Sequence, residues 1–208
     1  MTYDIGIAKR RLIIPPDETY FAVPAPGFVP CPGTAIHLAD PNNLTTGNWS
    51  NTGLNVAFNA TDPNGVALNA TDLKSSVSGG SLNANVRSAG ANIFTLFAAT
   101  GDYTFSAYLK WVAGPPWVLF FVTNNATVDF GAYFNIVAPM VGTTFGDLAT
   151  LTCARAVAFG VSGYTQVSIA GHVASDTTGM NLEIALVDGN GTNLSTLNQD
   201  INAWQVSP

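Results

Sequence analysis

Gly101 to Lys110 reads GDYTFSAYLK, and this stretch decides the fold class. The turn pair Gly101 and Asp102 opens it. Tyr103, Phe105, Ala107 and Leu109 then fall on one side, with Thr104, Ser106, Tyr108 and Lys110 on the other. Period-two alternation rich in aromatic residues is what a half-buried β-strand needs, because successive side chains leave opposite faces of the pleat. Three stretches match it as sheet partners: GYTQVSIAGHV at Gly163 to Val173, NLEIALVDGNG at Asn181 to Gly191, and DINAWQVS at Asp200 to Ser207.

Outward from that strand the pattern continues in both directions. Ile93 to Ala99 is an apolar strand leading into it. After Lys110 the Gly114-Pro115-Pro116 break separates Trp111 from the apolar run Trp117 to Val122, and Val128, Phe130, Ala132, Phe134 and Ile136 alternate through the next strand. Upstream, Leu54, Val56 and Phe58 alternate with Asn55, Ala57 and Asn59. The turn Asp62-Pro63-Asn64-Gly65 is followed by Val66, Leu68 and Ala70 on one face. Asp147 to Val157 has some helical character, but a strand is more consistent with the strands after it. About ten strands, with turn signals every ~8 to 12 residues, describe an all-β sandwich or barrel.

Composition agrees. Charged residues make up 10% of the 208, too few for the amphipathic runs of surface helices, while Gly, Asn, Thr and aromatic residues are frequent. Residues 1 to 11 carry Lys9, Arg10 and Arg11 against Asp4, a net of +2. The remainder carries Lys74, Arg87, Lys110 and Arg155 against twelve acids, a net of −8. A basic start on an acidic body excludes the broad basic footprint of a nucleic-acid binder and suits an arm that docks on something acidic, a neighbouring copy included. Met1 to Arg11 has no hydrophobic signal core. No apolar run approaches the ~18 to 20 residues of a membrane-spanning helix, so no membrane partner is expected.

Residues 1 to 38 differ from the rest. Six of the twelve prolines fall there, at 15, 16, 24, 26, 30 and 32, among Ile13, Ile14, Phe21, Val23, Phe28 and Val29. Proline fixes φ and removes a backbone donor, so this is neither helix nor central strand, yet it is too apolar for a solvated tail. The expectation is an extended attachment arm over 1–38, with Lys9, Arg10, Arg11, Ile13, Ile14, Phe21 and Phe28 as its gripping residues, ahead of a domain over 39–208. A strap packed only on its own domain is the alternative.

No catalytic constellation stands out, and an enzyme is not expected. His37 and His172 have no second ligand at metal spacing. No metal or other cofactor is implied. Asp62, Asn64, Asp188 and Asn190 sit in turns where Asp and Asn cap their own backbone; a structural calcium there is the lesser alternative. Cys31 and Cys153 lack CxxC spacing, so buried free thiols are expected, with a disulfide between them as the alternative. Sugar binding would use flat aromatic faces; Trp117 and Trp204 read as core, leaving Trp49, Tyr108 and Trp111 as the exposed candidates.

Several segments occur in a recognisable order: NLTTGNW at Asn43 to Trp49, DPNGVALNATDL at Asp62 to Leu73, YTFSAYLK at Tyr103 to Lys110 and FNI at Phe134 to Ile136. GYTQVSI at Gly163 to Ile169, LVD at Leu186 to Asp188 and INAWQV at Ile201 to Val206 complete the series. Over residues 43 to 207 the chain resembles the carbohydrate-binding-module-like jelly-roll domain of tailed bacteriophage structural proteins (head decoration, head fibre and tail proteins). Gly163-Tyr164-Thr165-Gln166 lacks the Trp and Arg of that family's strand, and Trp204-Gln205-Val206 lacks its closing Glu, so no ligand residues carry over.

The resemblance implies an antiparallel jelly-roll sandwich behind a proline-rich arm, in a non-enzymatic virion protein assembled in the host cytoplasm. Capsid decoration or cement is the leading expectation. Its partners would be the major capsid protein or other virion proteins, and further copies of itself as a homotrimer. A glycan-binding adhesin, or a tail, baseplate or fibre subunit, is the alternative. A short chain suggests a whole virion component rather than one module of a long fibre.

Overall fold

A computed structural model describes residues 31–35, 37–76, 84–88, 101–124, 127–146, 151–160, 162–173, 180–192 and 199–207. Among these residues there are thirteen strands and no helix, arranged as two packed sheets, an antiparallel β-sandwich of jelly-roll type. The first sheet runs β10 (Leu151–Phe159), β11 (Tyr164–Val173), β6 (Gly101–Ala113), β13 (Asp200–Trp204), β4 (Ala70–Ser75), β3 (Leu54–Ala60), with β1 (Thr34–Ala35) also on β6. The second runs β2 (Trp49–Thr52), β5 (Asn85–Ser88), β12 (Met180–Val187), β7 (Trp117–Asn124), β8 (Thr127–Asn135), β9 (Met140–Phe145).

The alternation read in GDYTFSAYLK holds in β6. Tyr103, Phe105, Ala107 and Leu109 face the core between the sheets, where the Phe105 ring lies 6.1 Å from that of Phe130 on β8. The strand is more deeply set than a half-buried one, because its other face is covered too. Thr104 donates to the Cys31 carbonyl at 3.1 Å, and Tyr108 joins Ala60, Ala70, Tyr164 and Trp204 in a second cluster on the outer face of the sheet. A third cluster, with Leu119, Phe121, Tyr133, Ala185 and Val187, lies on the outer face of the second sheet. There Gly131 stands opposite Phe121, and a Cβ at Gly131 would run into the Phe121 side chain and Cα.

Both edges of β6 are paired. β11 runs along the first edge from Gly101 to Lys110. Three pieces of chain share the second. β13 covers Tyr108 to Ala113, Ser207 donates its N–H to the Ser106 carbonyl at 2.7 Å, and β1 lies parallel against Tyr103 and Thr104. Leu38 in turn donates to the Ser207 carbonyl at 2.7 Å. A central strand needs this closure, since an unpaired buried N–H or C=O costs about as much as a lost hydrogen bond.

Residues 31 to 38, read as the last part of the arm, are therefore fastened to the sandwich. Gly33, at φ +145°, lets the chain pass where a Cβ would come within 2.6 Å of Thr104 Oγ1. Lys9, Arg10, Arg11, Ile13, Ile14, Phe21 and Phe28 lie outside the described residues, as does the strand expected over Ile93 to Ala99. Asp147 to Val157, the ambiguous segment, yields strand β10 from Leu151 onward. The face expected for Val66, Leu68 and Ala70 does not form. Leu68 takes a positive φ of 57° in a loop, Val66 and Leu68 are exposed, and the strand starts at Ala70.

The expectation of free thiols is corrected: Cys31 and Cys153 form a disulfide, with Cα atoms 5.6 Å apart and a sequence separation of 122. Sequence distance hid the pairing. β10 and β11 bring Cys153 beside Ala170, while the Cys31 N–H donates to Ser168 Oγ at 3.3 Å on β11. A cross-link closing so long a loop restricts the unfolded chain strongly. Cys31→Ser is expected to cost about 2–4 kcal/mol in urea unfolding. A reductant should lower the midpoint of the native protein by a similar amount and leave that of the variant unchanged.

Candidate functional site

The three aromatic residues expected to be exposed do not share a fate. Trp49 is buried in the core between the sheets, and its Nε1–H donates to the Ala39 carbonyl at 3.1 Å. Tyr108 is buried on the outer face of the first sheet, its ring edge-on to Phe159 at 4.8 Å and to Trp204 at 5.2 Å. Burial pushes its phenol up to about 12. Neither offers an open ring face, which corrects the sequence expectation. Packing claimed both rings, since each sits next to other large apolar groups once the strands are in register. Trp204 is buried as expected, and Trp117 is half-buried against the third cluster. Trp111 alone of the three candidates is open, at 40% exposure.

Trp111 stands at a break in register. Ile201 pairs with Trp111 and Asp200 with Ala113, so Val112 is the extra residue of a β-bulge. A bulge re-aims side chains and ends regular pairing. Here it leaves Trp111 and Val112 together at the rim of the sandwich, Val112 at 44% exposure. β11 does not cover them, since its last partner on β6 is Lys110. The next turn, Gly114 to Pro116, meets the turn after β8 through the Ile136 N–H, which donates to the Pro116 carbonyl at 2.9 Å. That second turn carries Val137 and Met140, at 56% and 49% exposure. Four of the six large exposed hydrophobic residues among the described residues thus belong to one rim.

The rim is braced. Trp111 Nε1–H donates to the Gly114 carbonyl at 2.8 Å, which fixes the indole. Gln199, fully buried, reaches the Pro115 and Trp117 carbonyls with its amide nitrogen at 2.9 and 2.5 Å. Asn135 Oδ1 accepts from the N–H groups of Val137 and Ala138 at 3.1 and 2.9 Å. Thr165 Oγ1 donates to the Ile136 carbonyl at 2.7 Å. Apolar side chains held in water by a fixed scaffold form a shelf, a candidate contact surface.

Polar residues of the first sheet lie alongside it. In register, Asn202 stands between Asp72 on β4 and Lys110 on β6, and Asp200 between Lys74 and Ala113. Burial, followed by the hydrogen bond and negative charge of Asp200, pushes the Asp72 carboxyl up to about 7, against the opposing pull of Lys74. Lys74 Nζ lies 3.9 Å from Asp200 Oδ2, and Lys110 Nζ sits 5.7 Å from the centre of the Tyr164 ring.

Of the turn residues weighed for calcium, Asp62 serves its own loop and Asn190 reaches across to β9. Asp62 Oδ1 accepts from the N–H groups of Asn64 and Val66 at 2.8 and 2.9 Å, and Asp62 Oδ2 from the Asn69 amide at 2.8 Å. Asn190 Oδ1 accepts from the Thr143 N–H at 2.5 Å. Among the described residues, no group of three or more His, Cys, Asp or Glu could hold a metal. His172 Nδ1 lies 3.0 Å from Asp102 Oδ1 on the surface. Glu183 is a buried acid that no motif in the sequence marks. It accepts from Asn85 and Thr123, each at 2.9 Å, and burial holds its carboxyl above the usual range.

Val112, Val137 and Met140 also escape sequence reasoning. Their signal is present in proline-flanked apolar turns, WVAGPPW and NIVAPM, where a surface turn would ordinarily be polar. Compared with known proteins, the chain matches no family model and no curated protein.

Asp72 gives a test in solution. Its folded value, about 7, lies above the 3.8 of an unperturbed Asp, so the folded state holds the proton more tightly. Its stabilising contribution is full below about pH 4 and lost as pH rises through 7. After discounting for solvent screening this amounts to about 1 kcal/mol. Thermal unfolding should therefore show Tm falling between about pH 4 and 7. In Asp72→Asn that part of the slope should disappear.

Proposed function

We propose that the chain is a non-enzymatic structural protein of a bacteriophage virion, a capsid decoration or cement protein that stabilises the head. The braced apolar shelf carries this reading. Trp111, Val112, Val137 and Met140 stay in water at fixed positions, an arrangement suited to being covered by protein. Two further features support it. The segments that resemble phage jelly-roll proteins coincide with strands of one sandwich, YTFSAYLK with β6, GYTQVSI with β11 and INAWQV with β13. The Cys31–Cys153 disulfide suits a virion surface, since such bonds persist in oxidising surroundings. A chain assembled in the host cytoplasm would close it on release.

In this role the arm attaches the protein to the major capsid protein or another virion component, and the sandwich stands outward, in trimers. Attachment across subunit joints stabilises the shell by mass action. A glycan-binding adhesin is the second reading. The openness of Trp111 favours it, because a rigid indole face can stack on a pyranose ring. A tail or baseplate position would use the same surfaces.

Co-sedimentation with purified heads lacking this protein tests the first reading. The full chain should sediment with heads. A chain beginning at Cys31, which keeps the disulfide and β1, should fold and stay in the supernatant. Absence of the full chain from the pellet would remove the capsid assignment. For the adhesin reading, a bound glycan should quench tryptophan fluorescence in the native protein but not in Trp111→Ala.

A further inference from the structure

We infer that the Cys31–Cys153 disulfide is a redox latch. Oxidised, it moors residues 31–37 along β6; reduced, it frees them while the sandwich from Leu38 onward stays folded. Such a latch sets where the N-terminal chain is rooted, whatever that chain attaches to.

Residues 31–37 form a strap between two unequal anchors. After the strap, Leu38 is buried in the main core, and its N–H donates to the Ser207 carbonyl at 2.7 Å. At the other end stands Cys31, 3% exposed. Between them Pro32, Gly33, Ala35 and His37 are exposed, so the strap covers the edge of β6 while burying little of itself. Among the described residues it pairs with that edge over two positions, Thr34 and Ala35 against Tyr103 and Thr104. Two further bonds hold Cys31, from its N–H to Ser168 Oγ at 3.3 Å and from Thr104 Oγ1 to its carbonyl at 3.1 Å. Each such bond gives a small net gain, while each ordered residue loses backbone freedom of comparable size. Seven residues held in this way depend on the covalent tie.

The bed beneath Cys31 suits repeated docking and release. Thr104 and Ser168 lie there, buried hydroxyls that water can serve once the strap lifts. Farther along the same outer face the chemistry differs, with Tyr108, Tyr164 and Trp204 packed into an apolar cluster. A strap seated on that cluster would be held by apolar burial with or without a disulfide.

The bond is also within reach. Cys153 lies on β10, the outermost described strand of the first sheet, and is half-buried. A dithiol reductant opens the bond by exchange. Its thiolate bonds to one cysteine sulfur and displaces the other as a thiolate, which takes up a proton. Its second thiol then gives up a proton and closes on the first, releasing the remaining cysteine as a thiol. The reductant leaves as a disulfide, and a disulfide oxidant runs the same exchange in reverse. The root of the N-terminal chain therefore moves. Oxidised, it lies at Cys31 beside β11; reduced, it lies at Leu38, with seven more residues of free chain.

Hydrogen–deuterium exchange on the full-length chain tests the latch. The protein is compared oxidised, reduced by dithiothreitol until alkylation shows both thiols, and reoxidised with oxidised glutathione. In the oxidised protein the amides of Thr34 and Ala35 should be protected. Reduction should speed their exchange about tenfold or more while β11 and β13 exchange as before, and reoxidation should restore protection. Cys153→Ser, which leaves the strap itself intact, should match the reduced protein with or without dithiothreitol.

Thr34 and Ala35 amides that exchange freely in the oxidised protein overturn the inference. So does protection that survives reduction, or a Cys153→Ser protein that protects the strap as the oxidised chain does. Loss of protection in β11 and β13 together with the strap also overturns it, since the disulfide is then a clamp on the whole sandwich.

Discussion

The structure depends on satisfying both edges of β6. The strand crosses the middle of the first sheet with side chains buried on both faces, so its backbone groups have little water to turn to. β11 covers one edge over ten residues. The other edge is closed by β13, Ser207 and β1, pieces from the two ends of the described chain. Closure of that edge brings residues 31 to 38 into the fold, and Cys31 with them. The disulfide to Cys153 on β10 then ties the start of the sandwich to the far side of β11.

The same strand creates the candidate site. Where β6 outruns β11 its pairing with β13 slips by one residue, and the bulge leaves Trp111 and Val112 at the rim. Side chains that would otherwise extend the core end in solvent. Buried Gln199 and the Asn135 and Thr165 side chains hold the neighbouring turns in place from beneath. Rigidity matters for a contact surface, because little ordering entropy remains to be lost when a partner arrives. The outer-face clusters show the opposite outcome for apolar groups, closed over rather than presented.

Much of the fold was legible in local pattern. The alternation at Tyr103 to Leu109 identified the inward side chains of β6, and the turn chemistry of Asp62-Pro63-Asn64-Gly65 marked a loop that Asp62 organises through its own carboxylate. The site was less legible. Trp49, Tyr108 and Trp111 occur in similar local contexts, and their separation into buried and open depends on what neighbouring strands bring against them. Val66 and Leu68 show the same limit from the other side. They alternate like a strand face, yet Leu68 at positive φ belongs to a loop.

The sequence by itself determined the all-β class, the inward face of the central strand, and the contrast between a proline-rich, basic beginning and an acidic body. These come from side-chain period, backbone restriction and charge count, which act over a few residues or over the whole chain. Tertiary structure alone decided the Cys31–Cys153 pairing, the closure of β6 by both ends of the described chain, the raised carboxyl of Asp72, and the gathering of Val112 with Val137 and Met140. Each of these depends on strands far apart in sequence lying in one particular register. A shift of one residue in that register would send every side chain to the opposite face.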